Sequence, residues 1–175
     1  MMEELNYGPL IESDADCVQK WLADWLTRHV SGWSGAYGLD WTTNDIKAHI
    51  ERQALVGREW AEIRAAAADR DCFVCVAKAG RTPVGLVYAE KRTDRYLALT
   101  TGVISWIYVD PSVRQKGVAL RLLEEAHGWF VQQDVSVSEV FVTASNRAAL
   151  AAYERGGYRV LDHRLLAVMR DPSSE

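Results

Sequence analysis

The stretch from residue 103 to residue 122, VISWIYVDPSVRQKGVALRL, limits the fold of this chain more than any other. A β-branched apolar run ends at Asp110 and Pro111, a short basic turn follows, and an amphipathic helix begins directly after it. Because the first N–H groups of a helix have no intrahelical partner and the helix dipole adds positive charge, the pattern predicts an anion site. Such a junction suits a phosphate or a pyrophosphate.

The turn itself consists of Arg114, Gln115, Lys116 and Gly117. Gly117 lets the backbone approach a ligand closely, because glycine has no Cβ. The side chains of Arg114 and Lys116 can add charge-assisted hydrogen bonds to phosphate oxygens. The alternative is that both are ordinary solvated residues, which the glycine beside them disfavours.

Bulk properties predict one domain over residues 1–170, followed by a polar, disordered tail at 171–175. The chain has 175 residues, of which 49% are hydrophobic, so it can bury one substantial core. No apolar run approaches the ~18–20 residues that span a bilayer, and the acidic N-terminus lacks a signal pattern, so we expect a cytoplasmic protein without a membrane partner. A net charge of −4 without a basic stripe argues against nucleic-acid binding.

The three cysteines suit a reducing compartment and do not predict a metal site. Cys72 and Cys75 formally match C-x-x-C, but they lie in a segment that predicts a strand. At that spacing their side chains face opposite sides of a sheet and cannot chelate one metal ion. We therefore expect no metal.

Apolar periodicity and turn residues predict the element order β-α-α-β-β-β-α-β-α-β, a mixed, mostly antiparallel sheet with helices on both faces. The predicted strands cover residues 5–11, 72–79, 84–92, 100–109, 138–145 and 158–169. The predicted helices cover 14–29, 43–70 (with a break near Gly57 left open), 117–133 and 147–155, and an aromatic, glycine-rich loop covers 30–42.

Two motifs in the second half resemble those of the GNAT superfamily of acetyl-CoA-dependent N-acetyltransferases. The first is Arg/Gln-x-x-Gly-x-Gly/Ala after a strand, which stands here as Arg114 to Ala119. The second is an Asn that opens a short helix, an aromatic residue seven positions later and a Gly-aromatic end, which stand here as Asn146, Tyr153 and Gly157-Tyr158. The motifs lie within residues 100–160, and before residue 100 the resemblance rests on the element order alone.

The resemblance implies a GNAT-like fold with acetyl-CoA as cosubstrate. It implies that the pyrophosphate lies against the N–H groups of 115–120 and that the pantetheine arm pairs with the backbone of the preceding strand. Asn146 would contact the same arm, although as a helix N-cap it needs no ligand. The implied cofactor-binding residues are Ile107, Tyr108, Val109, Arg114, Gln115, Lys116, Gly117, Val118, Ala119 and Asn146.

Two residues are candidates for the chemistry. The resemblance places Tyr153 where its phenol could protonate the departing coenzyme A sulfur, and the alternative is a tyrosine packed on the sheet. The sequence does not identify the general base that would deprotonate the amine. Phe141 stands where the ribosomal-protein alanine N-acetyltransferase branch has a glutamate, and residues 101–109 contain no carboxylate. Glu90 is the base that we select, with Asp40 and a water chain as alternatives.

The acceptor site is expected at the first two helices and the loop between them. Trp33, Tyr37 and Trp41 lie in that loop, and we hypothesise that they form an aromatic wall for a cationic amine. Trp21 and Trp25 have helical spacing and predict core positions.

The chain is therefore predicted to transfer an acetyl group directly to a primary amine in a ternary complex. The acceptor would be an amine-bearing small molecule or a protein amine, and both a monomer and a homodimer remain open. A second hypothesis is an acyl-CoA sensor without turnover, favoured by the missing base. A nucleotide-binding protein is disfavoured, because neither GxxxxGK[ST] nor GxGxxG is present.

Overall fold

The computed structural model describes residues 4–168 and contains a five-stranded sheet in the order β1-β2-β3-β4-β5. Neighbouring strands from β1 to β4 pair antiparallel, and β5 pairs parallel with β4. This confirms the predicted mixed, mostly antiparallel sheet. The strands are β1 (Leu5–Pro9), β2 (Cys72–Ala79), β3 (Thr82–Thr93), β4 (Thr100–Val109) and β5 (Ser138–Val140).

Five α-helices cover the two faces of this sheet within the described residues. They are α1 (Ala15–Ala36), α2 (Thr43–Arg52), α3 (Leu55–Ala66), α4 (Val118–Gln132) and α5 (Arg147–Arg155). Helices α1 and α3 pack on one face of the sheet, and α4 and α5 pack on the other. None of the helices between residues 4 and 168 is long and apolar enough to cross a bilayer.

The core is divided between the two faces by side-chain alternation along the strands, which the bulge in β4 interrupts. Val76 and Leu86 are buried against α1 and α3, whereas Val87 and Ile104 are buried against α4. Burying side chains of this size contributes about 1.5–3 kcal/mol each relative to exposure. The two faces are therefore independent packing layers that share one sheet.

The cysteines follow the same alternation. Cys72 packs against the α1/α3 face and Cys75 lies in the α4 face, so the pair cannot share one ligand. All three cysteines are free thiols, and residues 4–168 contain no group of three side chains suited to a metal ion.

Strand β4 is irregular at its middle. A bulge lies between the pairs Tyr88↔Trp106 and Ala89↔Ile104, which leaves Ser105 without a partner in the β3 register. On its other edge, β4 pairs with β5 only through residues 102–104. After the bulge, β4 still pairs with β3, but its other edge has no strand beside it among the described residues.

A glycine lets α4 approach the first half of β4. A Cβ at Gly102 would lie 2.5 Å from two ring atoms of Phe130. Phe130 is buried, so any larger residue at position 102 would push α4 away from the sheet.

Two expectations for the helices were wrong. Residues 30–36 continue α1 instead of forming a loop, because rings on α1 stack along its axis and override the weak propensity of glycine and serine. The second predicted helix is two helices, which separate at Gln53 and Ala54. Ala54 has a left-handed φ of 49°, whereas Gly57 lies inside α3 with open space around it.

Two strand expectations also need correction. The strand predicted at 138–145 ends at Val140, and residues 158–168 form no strand. A strand needs an open partner edge, and β5 is too short to provide one. Leu161 and Leu165 are accordingly 88% and 91% exposed. The tail predicted at 171–175 lies outside the described residues.

Candidate active site

The turn between β4 and α4 has the backbone form of an anion-binding loop. Gln115 and Gly117 both have left-handed φ values, of 63° and 80°. Alternating handedness of this kind turns successive N–H groups towards one side, which forms a concavity suited to an anion. Gly117 lies in open space, with no atom within 4 Å of the position that a Cβ would take.

The N–H groups of this loop are available to a ligand. The first backbone hydrogen bond made by an N–H of α4 is that of Arg121 to the carbonyl of Gly117, at 3.0 Å. Between residues 4 and 168, the N–H groups of residues 115–120 have no hydrogen-bond partner. Six adjacent donors at a helix N-terminus form the arrangement that binds phosphate oxygens.

The two basic side chains of the loop fold back on it. Arg114 Nε donates to the carbonyl oxygen of Val109 at 3.1 Å, and Lys116 Nζ donates to the carbonyl oxygen of Ser112 at 3.2 Å. Both side chains are exposed, so they can turn towards an anion without crossing packed atoms. Both also keep positive charge beside the N–H groups.

Three sequence-predicted residues, Ile107, Tyr108 and Val109, lie on the half of β4 that follows the bulge. Their backbone pairs with β3 on one side, at Val87, Leu86 and Gly85. Their other edge carries no strand among the described residues, as pairing with an extended ligand arm would require.

Helix α5 brings Asn146 and Tyr153 to the α4 side of the sheet. Asn146 is the N-cap, and its Oδ1 accepts from the N–H of Ala149 at 3.2 Å. This confirms the capping prediction, and the predicted contact with a ligand arm stays a prediction.

Tyr153 lies in the core cluster against which Ile107 and Val109 pack. It is 8% exposed, and its ring meets Tyr158 edge-on with 5.7 Å between centroids. Burial raises the pKa of Tyr153 well above that of a free tyrosine, and nearby Tyr158 raises it further. The phenol therefore keeps its proton across the neutral and mildly alkaline range.

Glu90 lies on the opposite face, close to the bulge of β4. One carboxylate oxygen, Oε1, accepts from the Ser105 hydroxyl and from Arg92 Nη2, the latter at 2.6 Å. The Glu90 side chain is 18% exposed and that of Arg92 is 53% exposed. The arrangement is a partly buried carboxylate that is fixed from two sides and still reaches solvent.

A continuous row of rings extends from β4 along α1. We call it the aromatic ladder, and its members in order are Tyr108, Trp106, Trp25, His29, Trp33 and Tyr37. Neighbouring ring centroids are between 4.9 and 6.1 Å apart. Burial lowers the pKa of His29, so the ladder carries no charge of its own near neutral pH.

Not all of the predicted acceptor residues come together. Trp33 and Tyr37 belong to the ladder, and the guanidinium of Arg164 lies 4.9 Å from the Trp33 ring. Trp41 is separate, because it packs on His49 of α2 with 4.8 Å between centroids. Asp40 is exposed in the turn after α1 and makes no hydrogen bond or ion pair within the described chain.

Two features of the site have no signal in the sequence. Ser105 was not selected, because a lone serine in a strand carries no signal and the bulge depends on strand pairing. The second is a hydrogen-bonded group behind Tyr153, in which the Tyr158 hydroxyl bonds to His127 Nε2 at 2.9 Å and to the Ser138 hydroxyl at 2.8 Å. Phe141, in the place of a base, is 77% exposed.

The model of the acetyltransferase (GNAT) family matches residues 33–158. The chain belongs to this family, because the match covers most of its length and includes the loop, β4 and α5. The search of curated protein sequences found no match.

Solved structures share the fold at low sequence identity. The aminoglycoside 6'-N-acetyltransferase AAC(6')-IG from Acinetobacter haemolyticus has 16% identity and a TM-score of 0.63, with 95% of this chain and 99% of that chain covered. A GCN5-related N-acetyltransferase from Ralstonia eutropha JMP134 has 17% identity and a TM-score of 0.65, covering 94% and 99%.

AAC(6')-Iy, solved with the bisubstrate analogue CoA-S-monomethyl-acetylneamine, has 16% identity and a TM-score of 0.65, with 96% and 99% covered. At this level of identity the likeness establishes the fold. The chain therefore belongs to the acetyltransferase (GNAT) family by its sequence match, and it has the fold of that family's solved structures.

Proposed function

We propose that this protein transfers the acetyl group of acetyl-CoA to a primary amine by direct attack in a ternary complex. The observation that carries the proposal is the loop at 115–120, where six unpartnered N–H groups meet two basic side chains at the open edge of β4. That combination fits a pyrophosphate followed by an extended amide arm, which is the chemistry of coenzyme A.

The acceptor is proposed to bind on the α1/α3 face. Glu90 and Glu62 supply negative charge there, since both raise the pKa of Tyr88, whose largest shift comes from burial. The neutral aromatic ladder includes Trp106, the partner of Tyr88 across β3 and β4, and suits a cationic amine. Amines are protonated at neutral pH, and Glu90 is proposed to hold the ammonium group and to take a proton from it.

Tyr153 is proposed as the acid. The amine nitrogen forms a bond to the acetyl carbon, the carbon–sulfur bond breaks, and the sulfur takes the phenolic proton. A raised pKa suits this role, because the phenol is fully protonated before each turnover. No cysteine lies on the second half of β4 or on α5, which agrees with direct transfer rather than an acyl-enzyme.

The test is thiol release from acetyl-CoA with a panel of glucosamine, neamine, spermidine and lysine. Tyr153→Phe should lower kcat about 10²-fold or more and leave the Kd of acetyl-CoA within about twofold, because general acid catalysis contributes factors of that size. Tyr96→Phe is a matched control, since Tyr96 is 82% exposed on the β3–β4 turn.

Binding of acetyl-CoA without thiol release for any amine would favour the sensor hypothesis over an enzyme. Equal activity of wild type and Tyr153→Phe would exclude the phenol as the acid. The Kd of acetyl-CoA therefore tests binding, and the kcat of thiol release tests the chemistry separately.

A further inference from the structure

The bulge of β4 leaves one hydroxyl, that of Ser105, outside both packed faces of the sheet. Ser105 is exposed, although its neighbours Ile104 and Trp106 are buried on opposite faces. It is also the first residue of β4 beyond the pairing with β5. The position therefore lies at the start of the open edge and on the way to Glu90.

The Ser105 hydroxyl is already oriented as a proton donor. Its hydrogen points to Glu90 Oε1, which leaves the two lone pairs of the oxygen for another donor. An ammonium group that donates to Ser105 Oγ would be joined to Glu90 through a single hydroxyl.

We propose that Ser105 relays a proton from the acceptor amine to Glu90, an inference that rests on the proposed function. The ammonium proton passes to Ser105 Oγ while the hydroxyl proton passes to Glu90 Oε1. Serine is thus regenerated, and Glu90 becomes a neutral carboxylic acid. The freed lone pair forms the carbon–nitrogen bond, and the broken carbon–sulfur bond leaves its electrons on sulfur.

The protons balance over the full turnover. Sulfur takes the Tyr153 proton, and the nitrogen loses a second proton to water as the amide forms. The proton on Glu90 also leaves to water, since the carboxylate is partly exposed, and water returns one proton to Tyr153. The net products are the amide, the thiol and one proton in solution.

Several groups surround the relay and share its pH dependence. Arg92 on β3 is paired with Glu90, and Cys72 on β2 and Tyr88 on β3 both have their pKa raised, chiefly by burial and further by the Glu90 charge. Glu62 on α3 adds negative charge at Tyr88. These groups lie around Glu90, whereas Ser105 supplies the connection to it.

The test is the pH profile of kcat/KM for Ser105→Ala with the best acceptor of the glucosamine, neamine, spermidine and lysine panel. The variant should lose about 10²-fold or more at neutral pH, which is the size of a general-base contribution. The deficit should shrink as pH rises towards the pKa of the amine, because an unprotonated amine needs no base. Ser105→Thr keeps a hydroxyl and should restore most of the activity.

Thr101→Val is the control, since it removes a hydroxyl from the same strand at a site bonded only to the Arg92 carbonyl. It should match wild type at every pH. A Ser105→Ala profile equal to wild type, or lowered by one factor at every pH, would overturn the relay. If wild type releases no thiol with any amine, the proposed function itself fails and the relay falls with it.

Discussion

The candidate sites on the two faces of the sheet are built in different ways. On the α4 face the candidate donor site is built from backbone, namely the N–H groups of 115–120 and the open edge of β4. On the α1 face the candidate acceptor site is built from side chains, namely Glu90, Ser105 and the aromatic ladder. Backbone recognition needs one local stretch of chain, whereas the side chains come from elements distant in sequence.

The largest effect on the donor side is expected from Gly117→Val. Its left-handed backbone strains any β-branched residue by about 1–3 kcal/mol, so the substitution should disturb the backbone form of the loop even though a Cβ there meets open space. At 1.4 kcal/mol per tenfold, the Kd of acetyl-CoA should rise about 10- to 100-fold by calorimetry.

Gly128→Ala on the same helix is the matched control, because it too meets no atom within 4 Å but has no left-handed backbone. It should bind acetyl-CoA like wild type. If Gly117→Val also bound normally, the donor site would not depend on the backbone of this loop.

A smaller effect, on the KM of the acceptor, should distinguish Trp33 from Trp41. Trp33→Ala removes a ring of the aromatic ladder and should raise the acceptor KM about two- to fivefold, the size of an exposed cation–π contact of about 0.5–1 kcal/mol. Trp41→Ala should leave KM unchanged, because Trp41 packs on His49 instead. Equal effects of the two variants, or a loss of acetyl-CoA affinity, would contradict this division.

The smallest effect concerns stability at high pH. Burial raises the pKa of the Cys75 thiol from 9.0 to about 11. The unfolded chain loses this proton at lower pH than the folded chain. The buried, protonated thiol therefore contributes its full share to the free energy of unfolding below pH 9, and this share is lost between pH 9 and about 11. Urea denaturation measures the free energy of unfolding at each pH. For Cys75→Ala, this free energy should fall less steeply than for wild type between pH 9 and about 11.

Cys17→Ala serves as its control, since Cys17 is only partly buried and its raised pKa shifts less. An unchanged slope in Cys75→Ala would mean that other buried groups, such as Tyr88 and Tyr153, carry the alkaline transition.

The difference between a donor site built from local backbone and an acceptor site built from distant side chains also explains which features could be predicted from sequence. The bounds of β2 and β4 agree with prediction, and α4 and α5 differ by a residue or none, because periodicity, a glycine and an N-cap asparagine define them locally. The loop at 114–117 was identified for the same reason.

The acceptor side depends on tertiary packing. The extension of α1 through Trp33 follows from ring stacking, and the exposure of Ser105 follows from a bulge against β3. Glu90 was selected from its place on the strand beside β4, but nothing in its local sequence indicated its two partners. The strand predicted at 158–169 failed because pairing requires an edge that β5 does not extend.

The central claim is that the loop before α4 binds coenzyme A, and its most direct test is the free energy of unfolding with and without acetyl-CoA. At roughly 100 times its Kd, acetyl-CoA should stabilise the wild-type protein by about 2.7 kcal/mol. Unchanged stability with both acetyl-CoA and free coenzyme A would contradict the assignment of the loop.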